Sequence, residues 1–444
     1  MKATTKLFYR TLVLIIFTGL VSAESASGSD LQKTYTWKYN INKDGSVALE
    51  NYECNVTIHT WDKGETEFHL TIDAKTRSDE DAAVLDKYLQ NLKFSNSATS
   101  VSFKDSFWES RNNLEFLNWR RMTMKLEGGK VVSLSEFSMK GELLIPSGCR
   151  FGLNSKYSKV NMEDFSGLLI LDLYNDNFYG SNLSGRTTIK DNYSAIEFKD
   201  TRDLKADLYN SKFEAGNTGD LNIESKYSRV TALSTGILTV NSYNDNYSIP
   251  KTGDISFVAK YSTLNTETSG MTNLDCYEGT VIIKEARDIK ITSKYADFQF
   301  GKVDNVSIES SYNDKLSAAK MKAMRIIESK YCSFRIEELA NSIVENDGYE
   351  DKIVIVKTSQ EFSKMSVDGN YVDISLSLAK TLDYRFKAKI TYPNLDIDES
   401  KFVTRTKISD GSKLEYDAVK GKEKDGMPVI EVNGYQMSLK IIGI

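Results

Sequence analysis

The chain has 444 residues and a formal net charge of −5, with 57 Lys and Arg residues against 62 Asp and Glu residues. A negative surface argues against a nucleic-acid partner, because phosphates are bound by clustered cations. Four cysteines, Cys54, Cys149, Cys276 and Cys332, are too few for a disulfide-built scaffold. We interpret them as isolated small residues and expect Cys276 and Cys332 to be unbonded. A Cys54–Cys149 bridge stays open as an alternative in an oxidising compartment.

Residues 1–23 have the pattern of a secretory signal peptide. A basic stretch ending at Arg10 precedes an apolar run at 11–19, and a small-residue cleavage site follows at 21–23. The alternative, a transmembrane anchor, needs about 20 apolar residues, and no later apolar run is long enough either. Cleavage would remove three cations and leave a net charge of −8. We therefore expect an exported protein, which is periplasmic, bound at the outer surface or secreted.

The segment 24–140 is predicted to be an N-terminal β cap region. It contains strand-like runs such as VALENYECNVTIHTW, both histidines and all four tryptophans. One helix is predicted at 78–92, because Ser78 is a suitable N-cap, the residues after it are acidic, and Leu85 and Leu89 lie on one helical face.

The segment 141–400 is dominated by a tyrosine repeat with spacings of 16 to 22 residues. The marker residues are Tyr157, Tyr174, Tyr193, Tyr209, Tyr227, Tyr243, Tyr261, Tyr277, Tyr295, Tyr312, Tyr331, Tyr349 and Tyr371. Two motifs alternate, one like SKYSRV and one like SYNDNY. A fixed period of this kind is the signature of a solenoid. The fold class predicted is therefore all-β, a single-stranded β-solenoid or β-helix with coils of about 17–18 residues and one short helix.

Each repeat has the internal pattern of a strand. In GDLNIESKYSRVTALS, Leu221, Ile223, Ser225 and Tyr227 would share one face, which is the period of two typical of strands. We expect a bend near Ser228, where the alternation slips. A glycine opens several repeats, and we interpret it as a turn residue that takes positive φ. These glycines are Gly167, Gly185, Gly219, Gly236, Gly253 and Gly270.

The alternation of motifs allows a coil of about 17 residues or a coil of about 35 residues with two halves. In the longer coil, Lys226, Lys260 and Lys294 would stack directly and repel one another weakly. The shorter coil would interleave these lysines with residues such as Ser242 and Cys276, so we favour it. It predicts that Tyr193 and Tyr209 are neighbours in adjacent coils.

The tyrosine row has two interpretations. In the structural one, the rings stack inside or at the edge of the core. In the functional one, the rings are exposed and form an aromatic platform for sugars. After the array, Tyr392 resembles a last degenerate repeat, and the segment 401–444 is predicted to form C-terminal capping strands that protect the open end of the solenoid.

The chain resembles the bacterial adhesin-like β-solenoids, the family of auto-transporter adhesin-like head domains. The resemblance rests on VALENYECNVTIHTW, the acidic helix at 78–92, LLIPSGCRFGLNSKYSKVNMEDFSG, the repeats and a late strand such as YQMSLKI. It implies a protein of the cell envelope or surface with no established catalytic residues.

No catalytic, cofactor or metal motif stands out in the sequence. His59 and His69 are interpreted as ordinary polar strand residues. Asp176, Asp245 and Asp314 lie two or more coils apart in the shorter coil, too far to share a calcium ion. We predict a non-catalytic binding or scaffold protein whose partner is a glycan or an envelope protein. The alternatives are a polysaccharide-acting β-helix enzyme, a lyase or hydrolase, and a purely structural envelope spacer.

Overall fold

A computed structural model describes residues 29–116 and 119–444, and most of these residues lie in β-strands. The predicted all-β solenoid is confirmed: parallel strands stack coil upon coil, and the described residues contain one α-helix. The signal peptide predicted at 1–23 lies outside the described residues. No helix within the described ranges has the length and apolar character needed to cross a membrane.

The chain divides into two compact units. Among the described residues, the first contains 29–32, 73–91 and 108–137, and its helix spans Asp79–Gln90. The side chain of Ser78 accepts a hydrogen bond from the Asp81 N–H, so the predicted N-cap is present. The strands of this unit are Trp108–Phe116, Trp119–Leu126 and the first part of Val131–Pro146, and they pair antiparallel.

The second unit is the solenoid, in which each coil contributes one strand to a first parallel sheet and one to a second. Consecutive coils align residue on residue, as in Leu221↔Leu238. In stacking order, the separate strands of the first sheet are Ser100–Lys104, Ser46–Tyr52, Arg150–Lys156, Leu168–Tyr174, Thr187–Asn192, Leu204–Tyr209, Leu221–Lys226, Leu238–Tyr243, Ile255–Lys260, Thr272–Tyr277, Ser329–Lys330, Lys364–Asn370, Val429–Tyr435 and Tyr384–Thr391.

The second sheet follows the bend in each coil. Its separate strands are Asn55–Trp61, Lys159–Met162, Asn177–Leu183, Ala195–Thr201, Lys212–Asn217, Arg229–Thr235, Asn246–Ser248, Lys251–Thr252, Thr263–Ser269, Lys352–Ile355, Asp373–Leu378, Ser438–Gly443 and Asn394–Asp396. Four long strands belong to both sheets, namely Thr280–Lys294, Asp297–Tyr312, Lys315–Ile326 and Ser333–Tyr349. The remaining elements are Asp30–Asn40, Glu65–Thr76, Ser95–Asn96, Phe402–Ser409, Lys413–Lys420 and a 3-10 turn at Glu399–Lys401.

The shorter coil is correct. The backbone N–H of Tyr193 donates to the carbonyl oxygen of Tyr209 at 2.9 Å, so these two tyrosines are neighbours in adjacent coils. The residues that align with the lysines in the adjacent coils differ by one position from the prediction. Lys226 aligns with Tyr243, whereas Ser242 aligns with the buried Ser225. The lysines are therefore interleaved with tyrosines of the second motif.

The glycines that open the repeats do not have positive φ, contrary to prediction. They are needed because neighbouring coils approach closely at this corner. A Cβ atom on Gly185 would lie 1.9 Å from the carbonyl oxygen of Gly167, and one on Gly167 would lie 1.8 Å from that of Cys149. Only glycine allows backbone to pack on backbone at these distances.

At the N-terminal end of the solenoid, one coil is out of chain order. Ser46–Tyr52 pairs in parallel with Ser100–Lys104 on one side and with Arg150–Lys156 on the other. The coil that comes first in the sequence therefore lies between two coils that come later in the sequence.

The C-terminal end has the same feature. Within the segment 401–444, predicted as capping strands, Val429–Tyr435 forms a coil between Lys364–Asn370 and Tyr384–Thr391. Lys413–Lys420 runs antiparallel to Tyr384–Thr391 and occupies its other edge. The segment therefore supplies an inserted coil and an antiparallel pair of strands, Lys413–Lys420 with Phe402–Ser409, that extends the sheet beyond Tyr384–Thr391.

Candidate functional site

The bend between the two sheets is formed by a stacked column of residues with positive φ. In coils of the SKY type the residue is the tyrosine itself, as at Tyr193 (67°) and Tyr227 (57°). In coils of the YND type it is the residue after the tyrosine, as at Asn210 (51°) and Asn244 (58°). The bend predicted near Ser228 is therefore confirmed, and its residue with positive φ is Tyr227.

This backbone geometry turns the SKY-type tyrosines outward, whereas the YND-type tyrosines, such as Tyr243, are outward by the alternation of their strand. Leu221, Ile223 and Ser225 are buried as predicted, whereas Tyr227, which was placed on the same face, is 46% exposed. A residue in the left-handed region breaks the strict alternation of a strand, because its side chain leaves the line set by the preceding residues.

The tyrosines form one continuous ladder of edge-to-face rings along the bend. The structure places all thirteen predicted marker residues in it and adds three more at its ends. In order, its members are Tyr52, Tyr157, Tyr174, Tyr193, Tyr209, Tyr227, Tyr243, Tyr261, Tyr277, Tyr295, Tyr312, Tyr331, Tyr349, Tyr371, Tyr435 and Tyr392. The sequence could have identified Tyr52 as a member of the ladder, because NYEC around Tyr52 resembles the motif GYED around Tyr349.

The alternation of motifs explains the ring geometry. Neighbouring centroids are 5.4 to 5.9 Å apart, with interplanar angles of 70 to 85°. Strands in a sheet are only about 4.8 Å apart, so rings at identical positions would be forced into face-to-face stacks. Moving every second tyrosine by one residue lets the rings adopt the edge-to-face contact that aromatic quadrupoles favour.

The ladder lies on the surface. Tyr174 is 36% exposed and Tyr392 is 52% exposed, and most other members fall between these values. The rings stack at the edge of the core, which is one of the two positions that the structural interpretation allowed, and not inside it. The rings are also exposed, as the interpretation of the row as an aromatic platform for sugars requires.

Buried aspartates hold the bend from below. Asp245 accepts hydrogen bonds from the N–H groups of Ser228 (2.6 Å) and Tyr243 (3.1 Å). It also accepts from the hydroxyls of Ser225 and Ser242, at 2.7 Å each. One carboxylate thus ties together the backbone on both sides of the bend in two adjacent coils.

The arrangement recurs in other YND-type coils. Asp314 accepts from the N–H groups of Ala296 (2.7 Å) and Tyr312 (3.2 Å), and Asp176 accepts from Ser158 in the same way. Burial raises the pKa of Asp176 to about 6. These carboxylates are occupied by N–H and O–H donors, and within 29–116 and 119–444 no cluster of metal-binding side chains is present.

A groove of about 680 Å³ runs beside the ladder. It is lined by alternating bend residues, such as Tyr193, Asn210 and Tyr227, and by second-sheet residues such as Lys212 and Arg229. Its walls therefore offer phenol rings, side-chain amides and cations along several consecutive coils.

The surface around the bend is basic although the protein is acidic. Residues at equivalent positions in successive coils form columns along the solenoid. Three such columns form or flank the bend: the residue before the bend, the bend residue itself, and the first outward residue of the second sheet. From the coil of Lys156 to that of Tyr277, the cations in these columns are Lys156, Lys159, Lys212, Lys226, Arg229 and Lys260. Within these described coils, the one acidic residue in the three columns is Glu278. The next outward column of the first sheet contains one cation, Lys190, and four acids, Asp172, Asp207, Glu224 and Asp275.

A second groove, of about 610 Å³, crosses the first sheet farther along the solenoid. Asp288, Lys290 and Arg325 line it. Asp288 accepts from Arg287 at 3.0 Å, and the Lys290 Nζ lies 3.4 Å from a carboxylate oxygen of Glu309. These are ordinary surface ion pairs.

The histidines and cysteines lie elsewhere. The His59 Nδ1 is 2.8 Å from the Glu163 Oε1, and the His69 Nδ1 is 3.0 Å from the Thr36 Oγ1. Neither of these contacts pairs a histidine with a buried nucleophile. All four cysteines are free and buried, so the alternative of a Cys54–Cys149 bridge is wrong.

Comparison with known proteins adds little. No protein-family model matches the chain, and no curated protein matches it. The crystal structure of a "putative cell adhesion protein" from Clostridium sporogenes is 7% identical, with 93% of this chain and 100% of that chain covered and a TM-score of 0.18. That of a "putative adhesin" from Parabacteroides merdae is 11% identical, with 78% and 96% covered and a TM-score of 0.19. Scores this low carry no argument, so the adhesin-like link in fold is weak.

Proposed function

We propose that this protein is an exported, non-catalytic binding protein of the adhesin-like kind, and that its tyrosine ladder binds carbohydrate chains. Export rests on the signal peptide predicted at 1–23. The observation that carries the binding role is the ladder itself, a row of sixteen phenol rings with most members more than a third exposed.

Exposed tyrosines suit carbohydrate because the ring has an apolar face and the hydroxyl is polar. Sugars have the same dual character, with C–H groups on their faces and hydroxyls at their rims. A core role alone would have buried the rings. Tyr227 and Tyr261 are instead 46% and 43% exposed, which leaves their ring faces and hydroxyls accessible to a ligand.

The groove beside the rings supplies the polar part of such a site. Asn210 and Asn244 place amide groups, which both donate and accept hydrogen bonds, between Tyr193, Tyr227 and Tyr261. A few polar groups beside apolar surface are typical of sites that bind small molecules or chains with defined orientation.

The experiment is a glycan array followed by titration of the best glycan and an assay for its cleavage. The test variant is Tyr193→Asn/Tyr227→Asn/Tyr261→Asn, because asparagine already occupies the bend at Asn210 and Asn244 and tolerates the left-handed backbone. Tyr179→Asn is the matched control, since Tyr179 is 40% exposed but lies on the second sheet, outside the ladder.

We expect the wild type and the Tyr179→Asn variant to bind a glycan without cleaving it, and the triple variant to lose at least tenfold in affinity. Reproducible cleavage would instead favour the β-helix enzyme, with Asp288, Lys290 and Arg325 in the second groove as its first candidates. Absence of glycan binding would leave the structural spacer. Binding that the triple variant retains would remove the ladder from the site.

A further inference from the structure

We propose that the tyrosine ladder takes an anionic polysaccharide, one that carries a carboxylate on every second sugar and lies parallel to the solenoid axis. This inference rests on the proposed carbohydrate-binding function and narrows the class of ligand. It follows from the charges around the bend and from their spacing.

From Lys226 to Lys294, a lysine precedes the bend in every second coil. Lys226 aligns with Tyr243, Tyr243 with Lys260, Lys260 with Tyr277 and Tyr277 with Lys294. Each lysine therefore lies two coils from the next, which is roughly 9.6 Å at a strand spacing of about 4.8 Å. Between them, the same column carries a tyrosine.

These lysines have no ion-pair partner among the residues that the structure describes. Lys330, which continues the column, is paired with Glu328 at 2.9 Å, but Lys226, Lys260 and Lys294 make no such contact. The residue two positions before Lys226 is Glu224, which makes no ion pair with it, and those two positions before Lys260 and Lys294 are the uncharged Val258 and Thr292. An exposed cation without a partner keeps its full capacity to pair with a ligand.

The local charge is opposite to that of the whole protein. The columns at the bend carry six cations and one acid from the coil of Lys156 to that of Tyr277, while the chain as a whole carries a net charge of −5. Arg229 extends the basic surface across the bend, and Lys212 lies beside it, paired with Glu214 at 2.8 Å. Such a field attracts a polyanion along its length.

The spacing selects among polyanions. Two sugar residues of an extended chain span a length comparable to two coils, so a polymer with alternating neutral and uronate sugars would present one carboxylate per lysine. The intervening tyrosines, at Tyr243 and Tyr277, would face the neutral sugar. A flexible polyanion without rings would satisfy the lysines and leave the tyrosines without a contact.

The test uses hyaluronan oligosaccharides, in which N-acetylglucosamine and glucuronate alternate, titrated against the full mature chain by calorimetry. The comparison ligands are carboxyl-reduced hyaluronan, poly-glutamate and single-stranded DNA. The test variant is Lys226→Gln/Lys260→Gln/Lys294→Gln. The control is Lys205→Gln/Lys251→Gln/Lys322→Gln, which makes the same change in net charge at three exposed lysines away from these columns.

We expect hyaluronan to bind best, with affinity that rises with chain length up to about six sugars and falls with added salt. The lysine variant should lose roughly tenfold in affinity, since each exposed pair contributes little by itself, while the control variant should bind as the wild type does.

Equal binding of the carboxyl-reduced polymer would overturn this inference but leave the carbohydrate function intact. Binding of poly-glutamate or DNA as tightly as hyaluronan would show a general cationic surface and would overturn it as well. If neither hyaluronan nor the reduced polymer binds, and the glycan array is also negative, both proposals fail together.

Discussion

Asn210 and Tyr227 occupy equivalent positions in adjacent coils, since the Asn210 N–H donates to the carbonyl oxygen of Lys226 at 2.9 Å and both residues have positive φ, 51° and 57°. Two different residue types thus share one backbone requirement. Asparagine is one of the few residues that accept it readily, whereas tyrosine does so because the ladder holds its ring.

The stability of a variant at a bend position should therefore depend on how well the new residue tolerates positive φ. L-residues generally lose roughly 1–2 kcal/mol in the left-handed region, and β-branched residues tolerate it least. We expect Tyr227→Asn to be more stable than Tyr227→Val in urea unfolding, although both lose the same ring. Equal midpoints for the two variants would contradict the positive φ at this position.

The buried aspartates should be more important for stability than exposed ones. Asp245→Ala would leave the Ser228 N–H without its acceptor in a buried site, which costs about 1–3 kcal/mol. Asp254→Ala is the control: Asp254 also accepts a backbone N–H, that of Met271 at 2.8 Å, but it is exposed, so water can replace it. We expect a clear loss of unfolding free energy in the first variant and little change in the second.

Glu345 should make the solenoid less stable at alkaline pH. Its side chain is buried, and burial, followed by the charge of Asp351, raises its pKa to about 8. The single hydroxyl proton of Ser329 cannot serve both Glu345 (3.1 Å) and Asp351 (2.8 Å), which also favours a protonated Glu345. Because the folded pKa lies above the unfolded one, this contribution is complete below about pH 4.3 and is lost as the pH rises toward 8.

The measurement is the thermal midpoint of unfolding at pH 5 and at pH 9. Between pH 5 and pH 9, the midpoint of the Glu345→Gln variant should fall less than the midpoint of the wild type. The fall that remains in the variant would come from other buried acids such as Asp176. Glu338→Gln is the control, because Lys357 and Lys320 lower the pKa of Glu338 to about 2, which lies below this window. An identical fall in wild type and Glu345→Gln would show that Glu345 is already ionised at pH 5.

The thiols should be unreactive in the folded protein. Burial raises the pKa of Cys276 to about 12 and that of Cys332 to about 11, and Cys54 and Cys149 are buried as well. Since the thiolate is the reactive form, we expect a disulfide reagent at pH 8 to titrate few or no thiols in the native protein and four in urea. Fewer than four in urea, restored by prior reduction, would reveal a disulfide that the structure does not contain.

The sequence by itself determined the solenoid, the length of its coil and the helix. The alternation of Leu221, Ile223 and Ser225 with polar residues is a local property of a strand, and so is the capping of the helix by Ser78. A tyrosine recurs every 17 residues or so, and stacking demands that equivalent residues recur at equal intervals. The alternation of two motifs also allowed a coil twice as long, and the interleaving of the lysines favoured the shorter one.

Tertiary structure alone decided where the SKY-type tyrosines point, how the ends close and what lies beneath the bend. The exposure of Tyr227 depends on the sign of a single φ angle, which alternation does not reveal. The insertion of Val429–Tyr435 between two earlier coils is a pairing between distant segments, and no local pattern encodes it. The basic surface around the ladder arises only when Lys226 and Arg229 are brought together with residues of other coils, because the columns of a solenoid run across the chain and not along it.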